Sequence, residues 1–186
     1  TQSQERWVHN YERALRGLDR NALQRELRDR RFDRTVRNAI DSGEPLTNAQ
    51  INKMVKRYRE RALKLRSETI ARTEALRSTH QGVADMYGQA INAGELDPSQ
   101  LVRIWNTAGD ERVRDFPKAQ TSHATMHNQE RQFNEPFISG AGRSAMHPGS
   151  FGVANEDINC RCVVSTRITA FDEIPGFAGA TIIQQA

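Results

Sequence analysis

Between Thr47 and Ala90 the chain carries a helical repeat so long that every other segment has to be accommodated to it. Thr47 followed by Gln50 forms a capping box, in which each side chain satisfies a backbone N–H at the helix start. Apolar or small residues then recur at Ile51, Val55, Tyr58, Ala62, Leu65, Thr69, Leu76, Val83, Tyr87 and Ala90, in alternating steps of four and three. A helix over 48–92 would span about 65–70 Å at 1.5 Å per residue, and a break is expected near Ser78 to Gly82. The Thr, Ala and Tyr positions make a poor coiled-coil seam. Ala62, Thr69 and Thr73 bury too little to support an isolated rod, so the helix must pack on something. Arg72 interrupts the stripe. A charge on an apolar face must be paired or solvated at its head, so Arg72 and Glu74 are expected to tether the helix to the domain that follows.

Upstream, Trp7, Tyr11, Ala14, Leu15, Leu18, Ala22, Leu23, Leu27, Phe32, Val36 and Ile40 are spaced like one side of a helix from Glu5 to Ile40, weakened at Gly17 and stopped by Asp41-Ser42-Gly43-Glu44-Pro45. As one helix, this stretch would set Asp29 against Asp33 and Arg30 against Arg34, both unfavourable. Charge is unevenly divided. Residues 1–72 hold 18 Lys or Arg against 10 Asp or Glu, whereas residues 73–186 hold 9 against 13. Arg28, Arg30, Arg31, Arg34, Lys53, Lys56 and Arg57 are therefore the candidates for contact with DNA or an acidic partner, with a solvated helix face as the plain alternative.

Downstream, Gly94 ends the long helix. A strand is expected over 101–107, short helical turns from Asp110 to Met126, and brief strands at 130–133 and 160–169. Residues 134–158, with four Gly and two Pro, form a loop of a length that is usually functional or held by something. The tail from Phe171 has too little apolar surface for a core of its own and is expected to dock on another subunit or drape over the domain. The whole reads as a mostly helical α+β protein: a basic helical arm (1–45), a long helix (46–95), a small α+β domain with a short antiparallel sheet (96–170) and an extended tail (171–186).

Both cysteines lie in Asn159-Cys160-Arg161-Cys162. As a disulfide they would close a small, strained ring, but thiolates combined with imidazoles suit zinc. Cys160, Cys162 and His123 are the first candidates, with His127 fourth, or His147 instead. The plain alternative is that the cysteines pack as small hydrophobes and the histidines hydrogen-bond within the loop. A Cys160 nucleophile has no orienting third group. With no H-E-x-x-H, no G-x-x-x-x-G-K, no G-x-G-x-x-G and no cluster of carboxylates for two metals, no catalytic residue is assigned and an enzyme is the weaker class. Only two cysteines, no apolar run of about 20 residues and no signal-peptide core point to a soluble protein made in a reducing cytoplasm.

Ile70-Ala71-Arg72-Thr73-Glu74, then Trp105-Asn106-Thr107-Ala108-Gly109-Asp110-Glu111-Arg112-Val113-Arg114, Ser122-His123, Pro136-Phe137, His147-Pro148-Gly149 and Asn159-Cys160-Arg161-Cys162 occur in an order and spacing that resemble the Mu F-like minor head proteins of tailed phages, the head morphogenesis family. The resemblance covers roughly residues 48 to 165. It departs at Phe116-Pro117-Lys118-Ala119-Gln120 and at His127-Asn128, where the family often carries Asp-Gly. It implies a minor head protein incorporated during procapsid assembly in the host cytoplasm and carried in the virion head. It also implies contact with the portal or inner capsid, and with packaged DNA. A nucleic-acid-binding module and a metal-dependent or cysteine hydrolase are the competing classes.

Overall fold

The computed structural model describes residues 2–169 and the backbone of 181–182. The chain divides into two compact units, Thr1–Glu68 and Thr69–Ala186.

In the first unit, α1 (Gln2–Arg16) and α2 (Asp33–Ser42) pack with the first half of α3 (Asn48–Asn92). Val8, Tyr11, Ala14, Leu15, Ala22, Val36, Ala39, Leu46, Ile51, Met54, Val55 and Tyr58 make one core. At its centre the Tyr11 and Tyr58 rings stack 4.5 Å apart, an arrangement that adds to the burial of two large rings. The helix expected from Glu5 to Ile40 is instead broken after Arg16. Leu18 takes a left-handed φ of 50°, Asp19 caps a short 3-10 turn through the N–H of Asn21, and Asp29 caps a second through that of Arg31. Short acidic side chains that offer the backbone an alternative acceptor favour such turns over a continuous helix. The expected like-charge repulsion therefore disappears. Asp29 is paired with Arg31, and Asp33 accepts two hydrogen bonds from Arg28, at 2.9 and 3.0 Å.

The capping box is present: the Thr47 N–H donates to Gln50 Oε1 at 2.8 Å and the Gln50 N–H to Thr47 Oγ1 at 3.3 Å. From there α3 runs 45 residues without the break expected near Ser78. The stripe is not buried throughout, since Leu65 is 45% exposed and its neighbour Leu63 54%.

The second unit carries a four-stranded antiparallel sheet in the order β2-β1-β5-β6, made of β1 (Leu101–Asn106), β2 (Gln129–Gln132), β5 (Val163–Ile168) and β6 (Thr181–Ile182). A small hairpin pairs β3 (Phe137–Ile138) with β4 (Ser144–Ala145), and a single helical turn, α4 (Ala154–Asp157), precedes the cysteines. β1 is central and almost wholly buried. Toward the start of β1 Leu101 and Ile168 meet Tyr87, Val83 and Ile91 of α3; toward its end Trp105 meets Met126, Phe137, Cys160 and Cys162, with Leu76 and Phe151 against them. The mostly helical α+β architecture is thus as the sequence indicates. The side chains of the tail expected to dock elsewhere lie outside the described residues.

Candidate metal centre

Trp105 organises the interior of the second unit. Its ring is fully buried and packs against His123 (6.0 Å between centroids), Phe137 (5.2 Å) and Phe151 (5.9 Å). The His123 ring lies nearly parallel to Phe151 at 5.7 Å. His123 is held by its own backbone, the N–H of which donates to the Arg114 carbonyl at 2.8 Å. The neighbouring residue is fixed too: the Gly140 N–H donates to the Ser122 carbonyl at 2.9 Å. That approach requires glycine, because a Cβ on residue 140 would stand 2.7 Å from Ser122 Cβ.

Cys160 and Cys162 reach the same place from the start of β5. Asn159 adopts a left-handed φ of 57°, and its N–H donates to Thr73 Oγ1 at 3.2 Å. This tight turn brings the two thiols together although only one residue separates them. Cys160 Sγ lies 3.6 Å and Cys162 Sγ 3.5 Å from His123 Nδ1. All three residues are buried and both cysteines are free. Their ligand atoms lie within 4.8 Å of one another.

The other edge of the His123 ring meets a carboxylate that no sequence pattern indicates. Nε2 is 2.8 Å from Glu156 Oε2, and Glu156 is fully buried. Its Oε1 accepts from Thr121 Oγ1 at 2.8 Å and Ser139 Oγ at 3.0 Å. Burial alone would raise the carboxyl, but the hydrogen bonds from Thr121, His123 and Ser139 outweigh it and hold Glu156 ionised, below its ordinary value. A carboxylate only accepts, so Nε2 of His123 carries a proton; burial opposes charge on the ring, but Cys160 and Glu156 raise its pKa above the ordinary value, and in the neutral form Nδ1 presents its lone pair to the two sulfurs. Hydrogen bonding from Cys162 and the neighbouring imidazole depress the Cys160 thiol, while Cys162 is raised.

The remaining histidines are elsewhere. The His127 Nδ1 accepts from the Thr107 N–H at 3.2 Å, and His147 is engaged by Gln81 and the Pro148 carbonyl, both at 3.1 Å. Neither joins the cluster, which among the described residues consists of His123, Cys160 and Cys162. His127 follows a 3-10 turn (Ala124–Met126), not a helix, so the four-residue spacing that would align it with His123 does not apply. His80, on α3, is buried and pairs with the backbone of Cys162; burial, then His147, lowers its pKa.

Arg72 donates to Asn159 Oδ1 at 3.4 Å, next to the cysteines, whereas Glu74 is exposed. Two further arginines brace the same turn. Arg161 makes a two-pronged pair with Asp110 at 2.5 and 2.6 Å, and Arg114 donates to the Ile158 carbonyl. Arg103 enters the interior from β1, donating to the carbonyls of Met146 (2.7 Å), Gln132 (3.3 Å) and Glu135. Of the basic residues in the first unit, Arg28 and Arg31 are committed to Asp33 and Asp29, and Arg57 pairs with Glu60 at 2.8 Å. Arg30, Arg34, Lys53 and Lys56 are exposed.

Among curated proteins and among solved structures, nothing matches the chain. A match to the family described as Phage Mu protein F like protein extends over residues 10–165, taking in most of the first unit, the whole of α3 and the cluster around Trp105. The chain belongs to that family.

Proposed function

We propose that the chain is a minor head protein of a tailed phage, taken into the procapsid during assembly through contact with the portal or inner capsid. Family membership over residues 10–165 is the observation that carries this reading. Its role is structural rather than catalytic. The second unit supplies a rigid core and the first unit supplies the partner-binding surface. Trp7 is 42% and Leu63 54% exposed, on α1 and α3 of the first unit, and large apolar groups of this kind serve as anchors in partner pockets. Deleting α1 would be a poor test, because Val8, Tyr11, Ala14 and Leu15 belong to the core. Trp7→Glu combined with Leu63→Glu leaves the core intact. Portal protein co-expressed with the full chain should co-purify with the parent protein and be lost with the double variant. Undiminished co-purification would place the portal-binding site on another surface.

Contact with packaged DNA is a second component of the reading, supported by the exposed Arg30, Arg34, Lys53 and Lys56. Phosphate contacts release counterions and weaken with salt, whereas an apolar portal contact does not.

A further inference from the structure

We infer that His123, Cys160 and Cys162 hold a zinc ion that closes the second unit. The distances carry this assignment. Bonds of about 2.3 Å to sulfur and 2.0–2.1 Å to nitrogen at tetrahedral angles place ligand nitrogen and sulfur about 3.5–3.6 Å apart. The two N···S separations here are 3.6 and 3.5 Å. The lone pair of Nδ1 receives one proton only, so the second thiol has just the other sulfur, a weak acceptor, to turn to, whereas a shared metal ion engages all three ligand atoms.

The surroundings are those of a metal ligand set. Glu156 receives the Nε2 proton of His123, fixing the tautomer that turns Nδ1 toward the metal. Glu156 is in turn held by Thr121 and Ser139. The indole Nε1–H of Trp105, which shares a buried cluster with Cys160 and Cys162, has no hydrogen-bond partner within the distance and angle of an ordinary bond. A thiol in that cluster offers such a donor only a weak acceptor, and a metal-bound thiolate a better one. Two thiolates also cancel the charge of the dication, so a neutral centre sits in a buried site.

The fourth ligand comes from solvent. A cavity of about 20 Å³ is lined by His123 and Cys162 on the inside and by Arg112, Arg114 and Arg161 on the outside. It admits one water molecule and little more. The centre thus has three protein ligands and a water. Soft sulfur donors in a tetrahedral arrangement select zinc over magnesium or calcium. The ion joins the loop after Arg114 to the turn before β5, two segments 37 residues apart, and so contributes directly to the stability of the unit.

The test uses the full chain purified without a histidine tag, and its outcome is independent of the head assignment. Elemental analysis should give one zinc per chain, and cobalt(II) substituted for zinc should show the intense d–d bands of a tetrahedral site together with a sulfur-to-cobalt charge-transfer band. Cys162→Ser should abolish the charge-transfer contribution of one sulfur, and Glu156→Gln should weaken zinc binding by about 10- to 100-fold while leaving the cobalt bands in place. The wild-type cobalt spectrum reports the ligand set even where a cysteine variant fails to fold. A weak octahedral spectrum without a sulfur band, or protein that binds no zinc under reducing conditions, would overturn it.

Discussion

The Nε2 of His123 stands 2.8 Å from Oε2 of Glu156 in an interior where the two side chains are 1% and 0% exposed. This pairing connects the cysteine turn to the loops bearing Thr121 and Ser139, because the same carboxylate serves all three. Glu156→Ala leaves two hydroxyls and a ring nitrogen without their acceptor. It should cost about 3–5 kcal/mol in urea unfolding of metal-free protein, the range for removing one partner of a buried pair. Glu156→Gln retains an acceptor and should cost less. Equal stability of the alanine variant and the parent would show that the carboxylate is not a structural hub.

Gly140 is the tightest point in the loop framework around His123. Gly140→Ala would place its Cβ 2.7 Å from Ser122 Cβ and 3.2 Å from the Ser122 carbonyl. The clash is partly with backbone, so the loop must shift, at an expected cost of about 1–3 kcal/mol. The displacement would reach His123 directly. Thermal unfolding should fall by several degrees, and a Tm within about 1 °C of the parent would contradict so close an approach.

Acid should act on the first unit through Asp29. The hydrogen bonds from the Arg31 side chain, opposed by burial and reinforced by the Arg31 N–H and the charge of Arg61, lower this carboxyl from its ordinary 3.8 to about 2. Because the folded value is the lower one, the carboxylate contributes stability that is fully present above pH of about 4 and is lost as pH falls toward 2. Asp29→Asn should lower the Tm at neutral pH and flatten its decline across that window. A parallel decline in both proteins would assign the acid sensitivity to other groups.

Exposed bases in the first unit should set any affinity for DNA. Replacing Arg30, Arg34, Lys53 and Lys56 by Gln should weaken binding across all sequences and reduce the slope of log K against log salt by up to about 3–4, at about 0.9 for each phosphate no longer neutralised. Arg28→Gln, by contrast, should destabilise the fold, since this guanidinium is bound to Asp33. Unchanged affinity in the fourfold variant would make this face a protein-binding or solvated one.

Much of this architecture is legible in the sequence because it depends on local periodicity. The Thr47–Gln50 box and the stripe from Ile51 to Tyr87 determine α3, and the alternation around Leu101 to Trp105 and Val163 to Ile168 determines the two central strands. His123, Cys160 and Cys162 are recognisable as a set by residue type alone. Glu156 is not, because a lone carboxylate in a polar loop has no pattern that distinguishes burial from exposure. Its one available signal is its place four residues before Cys160. His127 misleads for a related reason. Spacing of four aligns side chains only on a helix, and the chain makes a 3-10 turn there. The break after Arg16 escapes the apolar pattern because it comes from Leu18 in a left-handed conformation and two Asp caps, and the buried residues continue in helical spacing on either side.

A minor head protein of the kind proposed enters the head through its partners in assembly. The most direct measurement is quantitative mass spectrometry of procapsids purified from infections with and without portal protein. The chain should be present in portal-bearing procapsids and strongly depleted when portal is missing. Equal amounts in both would point to the inner capsid as the site of attachment, and absence from both would contradict the assignment as a head protein.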